Sequence, residues 1–361
     1  MLRSLARRHP DLEVHWLGGH RGLEESVVPA AGYRLDLLWL RSLRSVDVSM
    51  NAVLDPLRLA GSIPQAIAHM ARWRPDVVYT TGGYLAIPTL GASTALRIPS
   101  LMWEGNRLAG RSVRATARLA SVLAVSFEGT CGDLPGQCYT TGTPIRSFAG
   151  IDRTSARARL ALPPDAPVLL VFGGSQAVRR LNEAVAEALP RLLPRAVVVH
   201  LTGDSGYGEA LRRRESLPGA LHERYRPYPF LRDEMSDALV AADLLIGRAG
   251  SSTLAEATAL GLPMVVVPYP YAAAHQEANA RELVEAGAAE LVGDDDFDAE
   301  ALLSACDLLA DTPRMKAMRA ASRSQARPGA AAATATMLSA LAERRRPPDA
   351  VRIDQLSRVA E

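Results

Sequence analysis

Residues 244–256 read LLIGRAGSSTLAE, in which a short apolar run leads through a glycine-containing turn into an amphipathic segment. The run predicts a buried β-strand, and the turn predicts the start of a helix. Gly250 permits close approach to the backbone, and the hydroxyls and amides of residues 251–253 suit an anion at a helix N-terminus. Glu256 follows about 9 Å further along, where a carboxylate can accept ribose hydroxyls. The stretch predicts a nucleotide-diphosphate site; the alternative is a Ser/Thr-capped structural helix with a solvated Glu256.

The same order of strand, glycine turn and helix recurs along the chain. DVVYT at 76–80 and VLLVF at 168–172 each lead into a pair of glycines. This alternation predicts an α/β fold with parallel sheets. Because 361 residues exceed one ordinary core, we expect two Rossmann-like domains over 1–146 and 147–330, with a C-terminal helix and a tail over 331–361, the part after Ala342 being mobile or a surface helix. Ligands lie beyond the carboxyl ends of such strands, so two facing sheets would form a cleft for two substrates.

Composition limits the functional classes. Hydrophobic residues make up 48% of the chain and the formal net charge is +2, which argues against a nucleic-acid partner. The three cysteines form no CxxC pair, so we expect reduced, cytoplasmic thiols. No apolar run reaches the roughly 18 residues of a membrane span. Any membrane contact would therefore be peripheral.

Three further motifs belong to the second half or its border. Gly173, Gly174 and Ser175 follow a predicted strand and suit a phosphate; the alternative is an ordinary βα turn. Arg146 ends GTPIR, where its guanidinium can reach a leaving diphosphate; the alternative is a structural linker arginine. Residues 275–279 read HQEAN, in which Gln276 can bind sugar hydroxyls, Asn279 can cap or pack, and His275 is the histidine nearest the predicted chemistry.

Two motifs follow strands of the first half, where they would line the acceptor side of the cleft. One is Gly82-Gly83-Tyr84, and the other is Glu104-Gly105-Asn106. Asn106 can hydrogen-bond a sugar, and Glu104 can act as a structural acid or a general base. No Asp-x-Asp pattern is placed to hold a metal for the donor, so we expect neither metal nor cofactor.

These motifs, taken in order, resemble those of the MurG family of glycosyltransferase family 28, over about residues 1–330. The shared set is GGY, E-x-N, G-x-P-x-R, GGSQ, R-x-G-x-x-T-x-x-E and HQ-x-x-NA. The resemblance implies a GT-B fold and an inverting transfer of N-acetylglucosamine. The donor would be UDP-N-acetylglucosamine and the acceptor the muramyl C4 hydroxyl of lipid I, giving lipid II of peptidoglycan. It also implies a peripheral location on the cytoplasmic face of the bacterial membrane.

The resemblance also implies which residues hold the donor. Glu256 would take the ribose hydroxyls, Leu231 would present backbone to the uracil, and Arg146 and Ser175 would meet the diphosphate. The full expected donor set is Asn106, Arg146, Ser175, Leu231, Ser251, Ser252, Thr253, Leu254, Ala255, Glu256 and Gln276. Gly82, Gly83, Tyr84 and Glu104 would face the acceptor. For the general base the sequence offers only Glu104 and His275.

The chain departs from the family pattern in its first half. Family members begin with a strand and a glycine-rich loop carrying a histidine, whereas this sequence opens in what should be the first helix. We therefore expect the first domain to lack a central strand and to expose sheet edges. WEGN replaces the usual HEQN, and GGY lacks the serine that commonly follows it. Three alternatives remain: a same-fold glycosyltransferase with another lipid or aglycone acceptor, an inactive donor-binding homologue, and a sugar-nucleotide epimerase.

A lipid acceptor implies an anionic membrane surface as a partner. A long helix over 53–72, interrupted near Pro56 and Pro64, offers apolar and basic side chains for such contact. The alternative is an amphipathic helix packed on the sheet. The side chains proposed for the membrane are Val53, Leu57, Leu59, Ile63, Ile67, Arg41, Arg44, Arg58 and Arg72.

Overall fold

The computed structural model describes residues 1–20, 22–41, 51–174, 179–270 and 274–360. The chain forms two compact units, Met1–Pro144 with Gly329–Glu361 (unit 1) and Ile145–Pro328 (unit 2). The strands are β1 (His15–His20), β2 (Arg34–Arg41), β3 (Val78–Thr80), β4 (Ser100–Glu104), β5 (Val122–Val125), β6 (Cys138–Thr140), β7 (Val168–Phe172), β8 (Val197–Leu201), β9 (Tyr225–Tyr228), β10 (Leu244–Gly247), β11 (Met264–Val266) and β12 (Ala289–Leu291).

Helices connect these strands throughout both units. They are α1 (Leu2–Arg8), α2 (Glu24–Ala30), α3 (Asn51–Trp73), α4 (Ala86–Ala95), α5 (Arg111–Thr116), α6 (Arg153–Arg159), α7 (Arg179–Leu192), α8 (Gly203–Glu215), α9 (Met235–Ala241), α10 (Ser251–Leu260), α11 (His275–Glu285), α12 (Ala299–Asp307), α13 (Thr312–Ser324), α14 (Ala330–Ala342) and α15 (Ala350–Arg358). Short 3₁₀ turns span Ala117–Leu119, Glu128–Asp133, Gly219–Arg224 and Leu308–Ala310. In the described part of the chain, no helix is long and apolar enough to cross a membrane.

Unit 2 contains one six-stranded parallel sheet in the order β12-β11-β10-β7-β8-β9. All five residues of β7 and all five of β8 are buried, as the continuous apolar runs predict for a parallel sheet covered on both faces. The strand order reverses between β7 and β10, which are neighbours in the sheet although β8 and β9 lie between them in sequence. Ligands bind at such switch points, beyond the carboxyl ends of the strands.

A polar group is also built into the core of unit 2. His200, on β8, is 1% exposed, and its ring nitrogens lie 3.0 Å from the Tyr225 hydroxyl and 2.9 Å from Asn182 Oδ1. Burial lowers the pKa of His200 to about 3, because the charged ring would lose its hydration. The imidazole is therefore neutral in the folded protein at neutral pH.

Unit 1 contains two separate parallel sheets, β1-β2 and β3-β4-β5-β6. Among the described residues no ladder joins them, so β1 and β3 each keep one edge without a neighbouring strand. The end of β1 nevertheless contacts the turn after β3. Gly19 donates its N–H to Glu24 at 3.1 Å, and the Tyr84 hydroxyl donates to the same Glu24 Oε1 at 3.2 Å.

The helix expected to break near its prolines is continuous. α3 runs through both Pro56 and Pro64. Pro64 removes the bond that would otherwise reach the Ala60 carbonyl, but both residues are exposed. Water can hydrogen-bond that carbonyl, so the interruption predicted from the proline alone is wrong.

The C-terminal segment is part of unit 1. α14 supplies buried side chains such as Met337 and Leu338, and Ile353 of α15 is fully buried in the same cluster. Gly329 begins this segment, and a Cβ there would lie 2.1 Å from the Leu356 carbonyl oxygen. α15 is a surface helix, one of the two outcomes expected for the tail, and it is held to unit 1 through its buried Ile353.

The expectation of reduced thiols is wrong for one pair of cysteines. Cys131 and Cys138 form a disulfide with their Cα atoms 5.6 Å apart. The 3₁₀ turn Glu128–Asp133 returns the chain to β6, which sets the two residues opposite each other without a CxxC spacing. Cys306 is buried as a free thiol, and burial raises its pKa.

Candidate nucleotide-sugar site

The carboxyl ends of β7 and β10 meet at the switch point of unit 2. Their last residues, Phe172 and Gly247, are paired in register. A Cβ on Gly247 would lie 2.5 Å from the Phe172 carbonyl oxygen, so only glycine permits this approach. The glycine turn after β7 and the turn before α10 therefore leave neighbouring strand ends. Gly174 has φ +74°, which glycine adopts without strain; Ser175 lies outside the described residues.

The N-terminus of α10 is the first component of the site. Gly250 is its N-cap and offers no side chain to the first-turn amides, which leaves those donors for another acceptor. Ser251 and Thr253 are half-buried and Ser252 is exposed. Exposure and helix polarity together suit an anion at this position.

The rest of the expected segment divides between core and site. Leu254 is 2% exposed, so any contact it makes with a ligand would come from its backbone, and Ala255 is half-buried. Glu256 is 8% exposed, one and a half turns along α10. A carboxylate buried to this extent needs hydrogen-bonding partners.

Arg146 and Glu256 are brought together although 110 residues separate them. Arg146 Nε donates to Glu256 Oε1 at 2.7 Å, and its Nη1 donates to the Arg232 carbonyl at 3.3 Å. Leu231 immediately precedes that carbonyl and is 6% exposed. Three expected donor residues, Arg146, Leu231 and Glu256, thus converge within unit 2. The side chain of Arg146 keeps 40% of its surface exposed, which leaves it accessible to a phosphate.

The arginine that opens RAGSSTLAE is turned away from the helix N-terminus. Arg248 is buried, donates to the Val267 carbonyl at 3.0 Å, pairs with Asp294, and lies 5.3 Å from the centre of the Tyr269 ring. Its guanidinium therefore fixes the segment after β11. The sequence pattern could not separate this structural arginine from a phosphate-binding one.

α11 supports the turn before α10 and the segment after β11, each through one amide side chain. Asn279 is fully buried and donates from Nδ2 to the Ala249 carbonyl at 3.2 Å. Gln276 accepts the Tyr269 N–H on Oε1 at 3.0 Å, which orients its amide. His275, the first residue of α11, is half-buried. Asn279 therefore packs, one of the two roles expected for it, and positions the RAG turn.

The expected acceptor motifs lie in unit 1. Gly82 and Gly83 have φ +78° and +72°, which explains the glycine pair after β3. Tyr84 donates to Glu24, a residue that the sequence did not single out because nothing local marks it.

Glu104 is 6% exposed at the end of β4 and accepts three hydrogen bonds. The donors are Asn106 N at 2.8 Å, Asn106 Nδ2 at 3.0 Å and Gly110 N at 2.9 Å. The carboxylate thereby holds the loop over 105–110, and it orients the amide of Asn106. Thr130 adds support by donating to the Arg107 carbonyl at 2.9 Å.

The long helix α3 presents fewer side chains to solvent than expected. Leu59 and Ile67 pack against the core formed with β2 and α4, and Ile63 is half-buried. Leu57 is 60% exposed and Arg72 is exposed. Arg44 lies outside the described residues, as do the side chains of Arg41 and Val53.

Comparison with known proteins relates this geometry to a family. The glycosyltransferase family 28 N-terminal domain matches residues 2–125, and the C-terminal domain matches residues 168–334. A curated relative from Nocardioides sp. is 41% identical over 328 residues, 88% of this chain and 87% of its own. One from Desulforudis audaxviator is 37% identical over 336 residues, 91% and 90% of the two chains. Both are named UDP-N-acetylglucosamine--N-acetylmuramyl-(pentapeptide) pyrophosphoryl-undecaprenol N-acetylglucosamine transferase.

Solved structures show the same fold. The crystal structure of Acinetobacter baumannii MurG superposes with a TM-score of 0.72 at 25% identity and covers 94% of each chain. A putative UDP-N-acetylglucosamine 2-epimerase from Listeria monocytogenes gives 0.68 at 16% identity, over 96% of this chain and 93% of that one. The second likeness shows the fold alone. The expected α/β class with two Rossmann-like domains is confirmed.

Proposed function

The chain belongs to glycosyltransferase family 28, and on this premise we propose that it transfers N-acetylglucosamine from UDP-N-acetylglucosamine to lipid I, giving lipid II. The observation that carries the proposal is the convergence of Arg146 and Glu256 beside the uncapped N-terminus of α10. This arrangement offers a carboxylate for a diol and several donors for a diphosphate in one place.

Donor binding follows from these groups. The first-turn amides and hydroxyls of Ser251, Ser252 and Thr253 receive the diphosphate, assisted by the helix dipole. Glu256 accepts the ribose hydroxyls about 9 Å along the helix. Arg146, already held by Glu256, presents its exposed guanidinium surface to the phosphates. Leu231 offers backbone to the uracil from the segment that Arg146 binds through the Arg232 carbonyl.

The reaction is an inverting displacement. The acceptor hydroxyl attacks the anomeric carbon from the face opposite the diphosphate while a general base takes the hydroxyl proton. The bond from that carbon to the diphosphate oxygen breaks, and its electron pair leaves with UDP. Negative charge therefore grows on the diphosphate, where the α10 amides and Arg146 stabilise it. Removing one such donor commonly costs 10²–10³ in rate.

The three hydrogen bonds to Glu104 favour one of its two expected roles. They occupy three of the roughly four lone-pair sites of the carboxylate and orient Asn106 toward a fixed position. We therefore assign Glu104 as a positioning residue for Asn106. His275 is then the base candidate that the sequence provides.

Membrane association is proposed through an apolar surface of unit 1. Trp39 is 51% exposed on the edge strand β2, and Leu57 is 60% exposed on α3. Arg58 lies over the Trp39 ring at 6.0 Å, and a Cβ on Gly61, one turn beyond Leu57, would lie 3.5 Å from that ring. Apolar side chains beside a cation suit an interface with anionic lipid, so we place the protein peripherally on the cytoplasmic face of the membrane.

The test is a transfer assay with radiolabelled UDP-N-acetylglucosamine and lipid I in mixed micelles. The proposal expects label in a lipid product only when lipid I is present. Label transferred to diacylglycerol instead would favour the alternative of another acceptor. UDP released without any acceptor would favour a sugar-nucleotide epimerase. UDP binding without turnover on any acceptor would favour a donor-binding homologue.

A further inference from the structure

A cavity lies in unit 2, away from the donor residues. It is an open recess of about 390 Å³, lined by α6, the loop before β7 and one face of α13. The donor residues follow the carboxyl ends of β7 and β10, whereas this cavity adjoins Pro167 and Asp243, which precede the same strands. Strands of four to five residues at about 3.3 Å per residue separate the two places by roughly 15 Å.

The lining is strongly cationic. Arg153, Arg157, Lys316 and Arg319 oppose two carboxylates, Asp165 and Asp243, which leaves an excess of two positive charges. Lys316 is the only lysine in the chain and is exposed at the cavity. Among the described residues it forms no ion pair, so its ammonium group is available to a ligand.

One carboxylate organises the arginines. Asp243 Oδ1 receives Arg153 Nη2 at 2.5 Å and Arg319 Nη2 at 3.2 Å. Its Oδ2 receives Arg157 Nη2 at 2.9 Å and the backbone N–H of Val168 at 3.0 Å. Asp243 thus accepts four donors and neutralises only one of three guanidinium charges.

The remaining charges are crowded. Arg157 is 6% exposed, and its pKa is lowered first by burial and next by the neighbouring Arg153. Like charges fixed around a recess repel one another, and an anion placed between them relieves that repulsion. Lys316 and Arg319 lie three residues apart, on the same face of α13. The spacing lets a single anionic group reach both, and Leu309 and Met315 supply an apolar wall beside them.

We propose that this cavity is a second anion site, which binds a soluble phosphate monoester through Lys316 and Arg319 with its apolar part against Leu309 and Met315. The site is independent of the donor site and of the reaction proposed above. A phosphate dianion matches the excess of two charges, and guanidinium and ammonium groups are its preferred donors.

The experiment titrates inorganic phosphate into the full chain while saturating UDP occupies the donor site. The melting temperature is compared with that in sodium chloride of equal ionic strength. We expect phosphate to raise it beyond chloride, and Lys316→Ala to weaken the apparent phosphate affinity about tenfold, a value typical for one charge-assisted contact. Arg191→Ala, which removes an exposed cation on α7 paired with Glu300, is the matched control and should bind as the parent does.

Three results would overturn the proposal: a phosphate effect equal to that of chloride, an effect that disappears once UDP is saturating, or unchanged affinity in Lys316→Ala. Arg319→Gln provides a second variant and should also weaken binding. Because Arg319 contacts Asp243, the substitution can itself change stability. The melting temperature of Arg319→Gln is therefore measured first without phosphate, and the increase that phosphate causes is compared between variant and parent.

Discussion

Replacing Glu256 with alanine should weaken UDP binding by at least tenfold while leaving the fold intact. A hydrogen bond to a charged group contributes about 1.5–3 kcal/mol, and each 1.4 kcal/mol corresponds to a factor of ten. Loss of one ribose bond alone therefore predicts a decrease of about 10- to 150-fold. The cost to stability should stay below about 1 kcal/mol, because Arg146 is 40% exposed and water can replace its lost partner.

Isothermal titration with UDP and with 2′-deoxy-UDP separates the ribose contact from general damage. The parent protein should prefer UDP, and Glu256→Ala should bind both ligands with nearly equal affinity, because the group that distinguishes them is gone. Glu256→Gln keeps an acceptor without charge and should fall between the two. Glu209→Ala is the control, since Glu209 is an exposed carboxylate of the same unit paired with Arg213. UDP affinity within threefold of the parent in Glu256→Ala would refute the assignment.

Three further perturbations test other parts of the structure. Asn279→Ala should cost about 1–3 kcal/mol of unfolding free energy and also weaken UDP binding, because the buried Ala249 carbonyl loses its donor; urea unfolding with titration checks both, and unchanged stability would contradict the role. His200 has a folded pKa of about 3 against 6.5 when unfolded, so its contribution to stability is complete above pH 6.5 and decreases as the pH falls toward 3. Between pH 7 and 5 the parent should therefore lose about 2 kcal/mol more than His200→Gln, and equal losses in urea unfolding would argue against a neutral buried ring. Trp39→Glu should reduce flotation with phosphatidylglycerol vesicles several-fold. Val351→Glu, which changes an exposed apolar residue of α15, should not, and equal reductions would contradict a membrane contact through Trp39.

The sequence predicted those features that local patterns determine. Apolar runs identified β7 and β10, and the glycines after them identified the turns at the switch point, because a parallel strand buried on both faces leaves a continuous hydrophobic signal. The family motifs also predicted that Arg146 and Glu256 would serve one ligand. Their hydrogen bond is a finding of the structure, because no local sequence pattern indicates a contact between residues 110 positions apart.

Features that depend on distant contacts were not predictable in this way. Arg248 and Arg146 carry the same side chain, yet one is buried against Val267 and Asp294 and the other is partly exposed beside Glu256. The continuous helix through Pro64 depends on which face meets water. The burial of Ile353 depends on the packing of α15 against the core of unit 1. In each case tertiary surroundings decide between outcomes that the local sequence allows.

The position of Arg146 has a mechanistic consequence. The boundary between the two units lies between Pro144 and Ile145, so Arg146 is the second residue of unit 2. Its bonds to Glu256 and to the Arg232 carbonyl hold it against unit 2, although it lies only two residues after the end of the N-terminal part of unit 1. A group that stabilises a leaving diphosphate must keep its geometry relative to the donor throughout the reaction. Glu256 therefore serves twice in the proposed mechanism: it accepts the ribose hydroxyls, and it anchors the arginine to the unit that holds the donor.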